Sequence, residues 1–554
     1  MSKYTIGVDF GTLSVRALVV DISNGREMAC AEYTYPHAVM TESLPDGTPL
    51  APDWALQHPA DYIEGIRYTV KKVIDKASIS ADKVIGLGID FTSSTSLPVD
   101  EFGEPLCLRK DYSSNPYAWP MLWKHHAAQE YANRMTEAAK ARGEQLLERC
   151  GGRISSEMMF PRLWQIAVEA PEVYDAADKF VEAGDWIIHQ LTGSRVCSMN
   201  PASYKLFWTE EEGYPSDDFF VFLDEKLKNV KQKVCDLLLP LGSKAGTLNE
   251  HGAEMIGLNV GTPVSVTCID AHTALPAAGV VDGGKMLLIL GTSAAHLVLD
   301  RGKHTVNGIL CMAKNGMIPG WYAYEAGQSC CGDHFKWFAE RFVPMSYEKE
   351  AKQKGIGVQQ LLTEKAQTYQ PGQTGLLALD WWNGNRSILM DSELTGLILG
   401  MTLQTKPEEI YRSLIEATAY GTRVIVENFE NSGVTVSEIF VCGGIAKKNT
   451  MLMQIYADVL RRNLHVVHSE QANALGSAIF AAAAAGVEGG GYASIADAAN
   501  VMGDSGEQIY YPQEQNSRIY DVLYAEYKKL HDYFGKGGNN VMRRLKSCSR
   551  STKI

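Results

Sequence analysis

The sequence predicts an α/β protein of two domains, and three observations lead to this prediction. The chain has 554 residues, which exceeds the length at which a single hydrophobic core stops growing. Apolar strands alternate with amphipathic helices in both halves. An apolar strand that reaches a Gly-Thr pair and then resumes as a second strand occurs twice, at residues 4–21 and 286–300. We expect the domains to span residues 1–284 and 285–554.

The first half begins with the hairpin of residues 4–21, and a helix is predicted after Pro59. A further strand starts at Val84, and a mostly helical region extends over residues 119–186. A segment of residues 242–261, rich in glycine and turn residues, then leads into a strand with the sequence PVSVTCID. Strands and helices therefore alternate throughout this half.

The second half starts at the hairpin of residues 286–300. It contains an amphipathic run from Pro407 whose apolar residues recur at helical spacing, with proline suited to the first turn. A strand ending in Gly443-Gly444 and a helix beginning near Asn449 follow. The tail after residue 535 has six basic residues and no acidic one, which is more typical of a solvated tail than of a binding site.

The composition is that of an ordinary globular protein, with 45% hydrophobic and 21% charged residues. A net charge of -13 argues against nucleic acid or an anionic membrane as the main partner. The longest apolar run, from Ala478, is too short to span a bilayer, and no secretory pattern is visible. Eleven cysteines without a C-x-x-C spacing predict free thiols in a reducing cytoplasm, and the vicinal Cys330-Cys331 fits buried apolar packing.

The two predicted hairpins have the features of a phosphate site. Glycine lets the backbone approach a ligand, and successive N–H groups with nearby hydroxyls form a concave array of donors. We expect the two hairpins to face each other across a cleft. The first carries Asp9 two residues before its glycine, where the second has Ile289. A carboxylate so close to phosphate is repelled unless a cation lies between them, so Asp9 predicts Mg²⁺, bound directly or through water.

Two better-known phosphate motifs fail on their mechanism. Residues 279–285 fit the P-loop pattern G-x-x-x-x-G-K, but Met286 stands where a Ser or Thr is needed and a strand follows instead of a helix. The pair Gly86 and Gly88 resembles the start of a dinucleotide fingerprint, but Phe91 occupies its third glycine position.

Three predicted strands end in an acid or a glycine pair, where ligands bind in open α/β sheets, at Asp90, Asp270 and Gly443-Gly444. Asp270 could accept a proton from a hydroxyl that attacks a phosphoryl group, or else act as a helix N-cap. The glycine pair suits close approach of a flat or phosphorylated group, or else a plain turn. Lys205 by itself has the sequence context of a solvated surface lysine.

In order along the chain, these segments resemble the FGGY family of carbohydrate kinases, over nearly the whole length. The segments are DFGTLSVR from Asp9, the strand to Asp270 with AHTALPAAG, LGTSA from Leu290, EAGQSCCG from Glu325, NRSILMDSELTGLILG from Asn385, CGGIAKKN from Cys442, and ADVL from Ala457 with ALGSAIFAAAAAG. The resemblance implies a two-lobed, actin- and hexokinase-type (ribonuclease H-like) duplicated ATPase fold with a cleft between its lobes. The shared hairpin by itself supports only this fold.

The substrate is implied by segments outside the phosphate hairpins. WALQHPADYI, GIDFTSST, LWKHHAAQ, GGRISSE and NPASYKLFW resemble segments of family members that phosphorylate ribulose. This resemblance implies ATP-dependent phosphorylation of L-ribulose, and also of D-ribulose, at O5 in L-arabinose catabolism. A sibling kinase acting on D-xylulose, D-ribulose or another polyol stays open, and an actin-like or chaperone-like ATPase is the more remote alternative.

The resemblance also implies a role for each matching residue. Asp270 is the implied catalytic base, and Asp9 would organise Mg²⁺. The implied sugar-binding residues are Ser93, Lys205, Asp270 and Glu325. The implied ATP-binding residues are Gly11, Thr12, Ser14, Arg16, Gly291, Thr292, Gly327, Gly443 and Gly444. The expected partners are a ketopentose and ATP, without nucleic acid or membrane, and a homodimer is possible.

Overall fold

The computed structural model describes residues 2–504, 506 and 508–551. The chain forms two compact units. The first comprises residues 1–281, 312–323 and 471–504, and the second comprises residues 282–311, 324–470 and 505–554. The chain passes between the units several times, so their composition differs from a single cut after residue 284. The boundary between residues 284 and 285 stays a prediction.

The first unit contains the predicted hairpin of residues 4–21 at the centre of its sheet. The strands lie in the order Glu27–Thr34, Ser14–Asp21, Tyr4–Phe10, Val84–Phe91, Pro263–Ser265 and Lys244–Thr247, and Cys268–Ile269 also pairs with Val84–Phe91. The hairpin is antiparallel, whereas Tyr4–Phe10 and Val84–Phe91 run parallel. Every residue of the first strand after Tyr4 is buried, as is typical of a strand covered on both faces.

Helices surround this sheet, and the predicted helix after Pro59 is among them. It has the expected end signals, since His58 caps its first turn, proline follows, and Ser78 ends it in the left-handed region. The α-helices of the first unit are Pro59–Ala77, Gln129–Arg142, Leu146–Arg149, Met159–Glu169, Pro171–Ala176, Ala183–Thr192, Met199–Lys205, Asp217–Leu223, Glu250–Ile256, Asp270–Ala277, Ala472–Gly489 and Ile495–Met502.

Shorter elements complete the first unit. Two small ribbons pair Ser96–Val99 with Lys179–Glu182 and Cys197–Ser198 with Leu238–Leu239. The 3₁₀ helices are Ala81–Lys83, Leu106–Leu108, Pro116–Ala118, Glu225–Leu227 and Val230–Lys233. A separate hydrophobic cluster, which includes Trp164 and Phe160, lies under the predicted helical region of residues 119–186.

The second unit repeats the arrangement of the first around the hairpin of residues 286–300. The strands of its sheet follow the order Cys311–Lys314, Tyr322–Gln328, Ala294–Asp300, Gly284–Leu290, Val436–Cys442, Leu464–Val466 and Gln508–Tyr510. Gly284–Leu290 is antiparallel to Ala294–Asp300 and parallel to Val436–Cys442. In the first unit, too, the first strand of the hairpin has one antiparallel and one parallel neighbour, so the two sheets share their central topology.

The helices of the second unit include the long predicted helix from Pro407. Seventeen of its residues are buried, so it forms the main apolar support of this unit. The helices are Gly332–Arg341, Met345–Lys354, Val358–Ala366, Pro407–Asn431, Gly444–Lys448, Thr450–Leu460, Glu514–Gly535 and Val541–Ser551. The strands Leu377–Leu379 and Leu397–Leu399 pair with each other, and Cys311–Lys314 lies where the chain crosses between the units.

The helix Ala472–Gly489 packs against the sheet of the first unit through glycines. A Cβ atom on Gly7 would lie 1.8 Å from the carbonyl oxygen of Ala474, and one on Gly88 would lie 1.9 Å from that of Ser477. On the helix itself, a Cβ on Gly476 would lie 1.8 Å from the carbonyl oxygen of Thr273. These positions admit only hydrogen, which explains why this late segment of the chain belongs to the first unit.

Three sequence expectations have specific outcomes. The single strand expected at residues 263–269 is two short strands, because the five residues from Val264 to Cys268 lie opposite only four residues of the neighbouring strand, from Leu87 to Asp90. The basic tail forms a helix in which Arg543 contacts Asp391 at 2.6 Å, so it is less solvated than expected. All eleven cysteines are free, as predicted. No helix in the described part of the chain combines the length and apolarity needed to cross a membrane.

Candidate active site

Three carboxylates come together at the carboxyl ends of the strands of the first unit. Asp9 and Asp90 lie directly opposite each other on parallel neighbouring strands, and Asp270 follows the strand that pairs with the end of Val84–Phe91. Burial raises the pKa of Asp90 well above its usual range, and the charges of Asp9 and Asp270 raise it further. The sequence singled out Asp9 by its place in the first hairpin and Asp90 and Asp270 as strand ends, and the structure brings these three carboxylates together.

The pair Asp9 and Asp90 fits a hard cation. Both side chains are buried, and one oxygen of each, Oδ1, has no hydrogen-bond partner among the described residues. Asp90 Oδ2 accepts a hydrogen bond from Ser477 Oγ at 2.6 Å, and Arg16 lies 3.7 Å from Asp9. Buried carboxylate oxygens left without a donor are the ligands that Mg²⁺ prefers.

Asp270 begins the helix Asp270–Ala277, and the residue at the N-cap position is Ile269. The alternative that Asp270 is the N-cap is therefore wrong. Its Oδ1 accepts from the N–H of Ala271 at 2.7 Å, and its carbonyl accepts from the hydroxyl of Thr273. The side chain is partly exposed, so the structure places a carboxylate at a strand-to-helix junction where a substrate can reach it.

The first hairpin turn is closed by a hydrogen bond from the N–H of Gly11 to the carbonyl of Ser14. Ser14 Oγ and Arg16 both donate to Glu32, each at 2.8 Å. The hydroxyl of Thr12 accepts from the indole N–H of Trp123 at 3.2 Å. The polar groups expected at phosphate are thus present at the turn, and a carboxylate that the sequence did not signal holds two of them.

The loop that carries Ser93 is pinned by a buried arginine. Arg162 is fully buried and donates to the carbonyls of Ser94, Met121 and Leu122, and burial lowers its pKa to about 10. Ser94 adopts the left-handed region with φ 54°. The buried hydroxyl of Ser93 has no partner in the described part of the structure, so it is available to a ligand.

Lys205 ends the helix Met199–Lys205 and is mostly buried, with 12% of its side chain exposed. Its ammonium lies 3.7 Å from Glu157, so the interpretation as a solvated surface lysine is wrong. Nearby, burial raises the pKa of Glu182 to about 7, although the charges of Arg162 and Lys205 oppose the rise. A buried lysine balanced by carboxylates is typical of a binding site for hydroxyl groups.

The second hairpin turn lies at the N-terminus of the helix Gly332–Arg341. The N–H of Gly332 donates to the carbonyl of Gly291 at 2.9 Å, and the N–H of Cys331 donates to that of Thr292 at 2.9 Å. A Cβ on Gly332 would lie 2.7 Å from the Gly291 carbonyl oxygen. The turn is therefore held by the helix end, and Gly291 and Thr292 have a fixed backbone.

The remaining predicted residues of the second unit lie on its strands or directly after them. Gly443 has φ 105°, and a Cβ there would lie 2.2 Å from the carbonyl oxygen of Leu290, whereas nothing lies within 4 Å of a Cβ on Gly444. The N–H of Gly327 donates to Ser387 Oγ at 3.1 Å. Glu325 lies on the same strand as Gly327, Tyr322–Gln328. Gly444 thus opens onto free space next to the second hairpin, as a nucleotide site requires.

One other cluster in the described residues has the spacing of metal ligands. It consists of His37, His58 and Asp61. His37 Nδ1 lies 2.7 Å from Asp61 Oδ1, and His58 Nδ1 accepts from the N–H of Ala60 as the helix cap. Nδ1 of both rings is therefore already engaged, and we assign the cluster to the N-terminal end of the helix Pro59–Ala77.

Comparison with known proteins agrees with this geometry. The family models for the N-terminal and C-terminal domains of the FGGY family of carbohydrate kinases match residues 4–276 and 286–485. The chain belongs to the FGGY family of carbohydrate kinases. FGGY membership confirms the recognition made from the sequence motifs, and it argues against the actin-like or chaperone-like ATPase.

Curated relatives of this FGGY kinase extend over its whole length. A ribulokinase from Geobacillus thermodenitrificans is 50% identical over 553 residues, which is 100% of this chain and 98% of that protein. A ribulokinase from Bacillus licheniformis is 51% identical over 536 residues, covering 96% of this chain and 97% of that one. The likeness therefore includes the segments outside the phosphate hairpins.

Solved structures share the fold of this FGGY kinase. Xylulose kinase from Rhodospirillum rubrum superimposes with a TM-score of 0.78 at 22% identity, covering 96% of this chain and 98% of that one. Gluconate kinase from Lactobacillus acidophilus gives 0.78 at 16% identity, with 97% and 99% covered. These likenesses confirm the predicted α/β fold of actin and hexokinase type.

Proposed function

We propose that this FGGY kinase is a ribulokinase, which transfers the γ-phosphoryl group of ATP to O5 of L-ribulose and also accepts D-ribulose. The observation that carries the proposal is the full-length identity of about half to curated ribulokinases. The carboxylates at the strand ends of the first unit give the proposal a chemical basis. A role in L-arabinose catabolism is implied by this activity, and eleven free thiols favour the cytoplasm as its compartment.

In the proposed mechanism, Asp270 is the general base. Its carboxylate takes the proton of the O5 hydroxyl while O5 forms a bond to the γ-phosphorus. The bond from that phosphorus to the bridging oxygen breaks, and ADP leaves with the electron pair. Asp270 then gives its proton to solvent, which its partial exposure permits.

Asp9 would hold Mg²⁺, with Asp90 beside it, because these two buried carboxylates have oxygens without donors in the described part of the chain. When bound, this ion supplies positive charge that offsets the charge of the phosphates. Ser477 fixes one oxygen of Asp90 at 2.6 Å, so the orientation of the pair is set by the helix Ala472–Gly489.

The sugar and the nucleotide would be held by the residues that match the family pattern. Ser93, Lys205, Asp270 and Glu325 would satisfy sugar hydroxyls, and a buried polar site can reject a sugar lacking one by about 10⁴-fold. The ATP-binding residues would be Gly11, Thr12, Ser14, Arg16, Gly291, Thr292, Gly327, Gly443 and Gly444. Ser14 and Arg16 would exchange a contact with Glu32 for one with phosphate, whereas Gly444 already opens onto free space.

The test measures ADP release with ATP and Mg²⁺ in the presence of L-ribulose, D-ribulose, D-xylulose, glycerol or no sugar. We expect kcat/KM to be highest for the two ribuloses and ADP release to be negligible without sugar. A clear preference for D-xylulose or glycerol would replace ribulokinase by a sibling kinase. In the same assay Asp270→Asn should bind ATP but retain less than a hundredth of kcat, about 10² or more below the parent. Retention of a tenth or more would exclude Asp270 as the base.

A further inference from the structure

The side chain of Asn200 is bonded to both chain segments that flank Asp270. Asn200 is fully buried on the helix Met199–Lys205. Its Oδ1 accepts from the N–H of Ile269 at 2.8 Å, and its Nδ2 lies 2.9 Å from Nδ1 of His272. Nδ2 also donates to the carbonyl of Gly316 at 2.5 Å. Because the N–H of Ile269 only donates and the Gly316 carbonyl only accepts, the orientation of the amide is fixed.

Asp270 lies at the junction of a short strand and a helix. Cys268–Ile269 is a strand of two residues, and the helix that follows has no side-chain cap at Ile269. Asp270 therefore sits at a junction that neither a long strand nor a capped helix fixes. The side-chain amide of Asn200 supplies a hydrogen-bond acceptor one residue before Asp270 and a donor two residues after it.

The contact with His272 also determines how that ring is protonated next to Asp270. The amide Nδ2 can only donate, so Nδ1 of His272 accepts and the ring carries its proton on Nε2. The ring is fully buried and packs on Tyr204, with centroids 4.5 Å apart. Asn200 thus fixes the backbone on one side of Asp270 and the ring on the other.

The helix Met199–Lys205 connects Asn200 to the proposed sugar site, because Lys205 is its last residue and lies beside Glu157. Five residues of helix separate Asn200 from Lys205, a rise of about 7.5 Å. We propose that Asn200 is a positioning residue that holds the carboxylate of Asp270 at a fixed distance from the sugar. This inference rests on the proposed role of Asp270, and it predicts an effect on kcat that is much larger than the effect on KM.

The test compares Asn200→Ala and Asn200→Asp with the control Ser198→Ala. Ser198 caps the same helix, because its hydroxyl accepts from the backbone N–H of Asn200 at 3.2 Å. Ser198→Ala therefore weakens the helix but leaves every contact of the Asn200 side chain in place. We expect Asn200→Ala to lose about 10²-fold in kcat, the scale of a misplacement by about 1 Å. Its KM values for L-ribulose and ATP should stay within threefold, and Ser198→Ala should keep the parent's kcat.

Asn200→Asp adds a second measurement, the pH dependence of kcat, which would not change if Asn200 only stabilised the fold. When its carboxyl group is protonated, one oxygen accepts from the N–H of Ile269 and the O–H donates in place of the amide Nδ2. The ratio of its kcat to the parent's should therefore rise at least fivefold from pH 8 to pH 6. The division by the parent's kcat removes every pH effect that the two proteins share. Should Asn200→Ala not fold, this variant decides by the same ratio.

Three outcomes overturn the inference. They are a kcat of Asn200→Ala within threefold of the parent's, a loss expressed in KM at constant kcat, and a ratio for Asn200→Asp that does not change with pH. Asp270→Asn separates this failure from that of the proposed function. If Asp270→Asn is inactive while Asn200→Ala is active, only the positioning role is wrong, whereas an active Asp270→Asn refutes the base and with it the inference.

Discussion

Replacement of Gly88 by alanine tests whether the helix Ala472–Gly489 is held against the sheet by the absence of side chains. Gly88 lies on the strand Val84–Phe91, two residues before Asp90. The new Cβ atom would lie 1.9 Å from the carbonyl oxygen of Ser477, and real Cβ contacts are essentially never shorter than 3.0 Å. The helix backbone must therefore recede by about 1.1 Å.

The cost of this movement has two parts. Overpacking of a close-packed contact destabilises by about 1–3 kcal/mol. A shift of this size also lengthens the hydrogen bond of 2.6 Å from Ser477 Oγ to Asp90 beyond a useful distance, and loss of such a bond to a buried carboxyl group costs about 1–3 kcal/mol. We expect a total of about 2–6 kcal/mol, which lowers Tm by about 2–5 °C in a protein of this size, because the entropy of unfolding grows with chain length.

The measurement is thermal unfolding by calorimetry of the parent, Gly88→Ala and the control Gly357→Ala. Nothing lies within 4 Å of a Cβ on Gly357, and its φ of -77° suits alanine, so the control should unfold within about 1 °C of the parent. A Tm for Gly88→Ala equal to that of the control would refute the close-contact reasoning.

Two further predictions concern buried charges. The pKa of Glu182 is raised from 4.5 to about 7, so between these pH values the folded protein keeps a proton that the unfolded chain has lost, and stability falls as pH rises. Glu182→Gln removes this loss of stability. In urea denaturation, the free energy of unfolding of Glu182→Gln relative to the parent should grow by about 3 kcal/mol from pH 4.5 to 7 and then stay constant. A difference that is the same at every pH would contradict the raised pKa of Glu182. Arg412→Met strands the buried carboxylate of Glu416, 2.8 Å from Arg412 in the parent, and should cost about 3–5 kcal/mol in the same measurement. Adding Glu416→Gln should recover part of this cost, and no recovery would count against a stranded charge.

The elements that sequence reasoning found are those whose signals are local. The apolar strands around Gly11 and Gly291, the helix from Pro407 and the strand end before Asp270 all follow from patterns within about twenty residues. Each is present where the pattern predicts it. The duplication of the hairpin also predicted the shared topology of the two sheets, because like sequences make like pairings.

The parts that sequence reasoning missed depend on contacts between distant segments. Glu32 binds Ser14 and Arg16 from the next strand, and no local pattern marks it as their partner. Arg162 is an ordinary residue of an amphipathic helix until its guanidinium is found buried among carbonyls. Asn200 stood in a segment used for the family resemblance, but its role depends on residues about seventy positions away.

The membership of residues 471–504 in the first unit has a consequence for biosynthesis. A chain made from its N-terminus exposes the sheet around Gly7 and Gly88 hundreds of residues before the helix that covers it has been synthesised. Domains at the N-terminus of a chain ordinarily fold first, but this unit completes its core only when almost the whole polypeptide has been made. A fragment that ends near residue 284 would therefore lack the helix that covers one face of its own sheet.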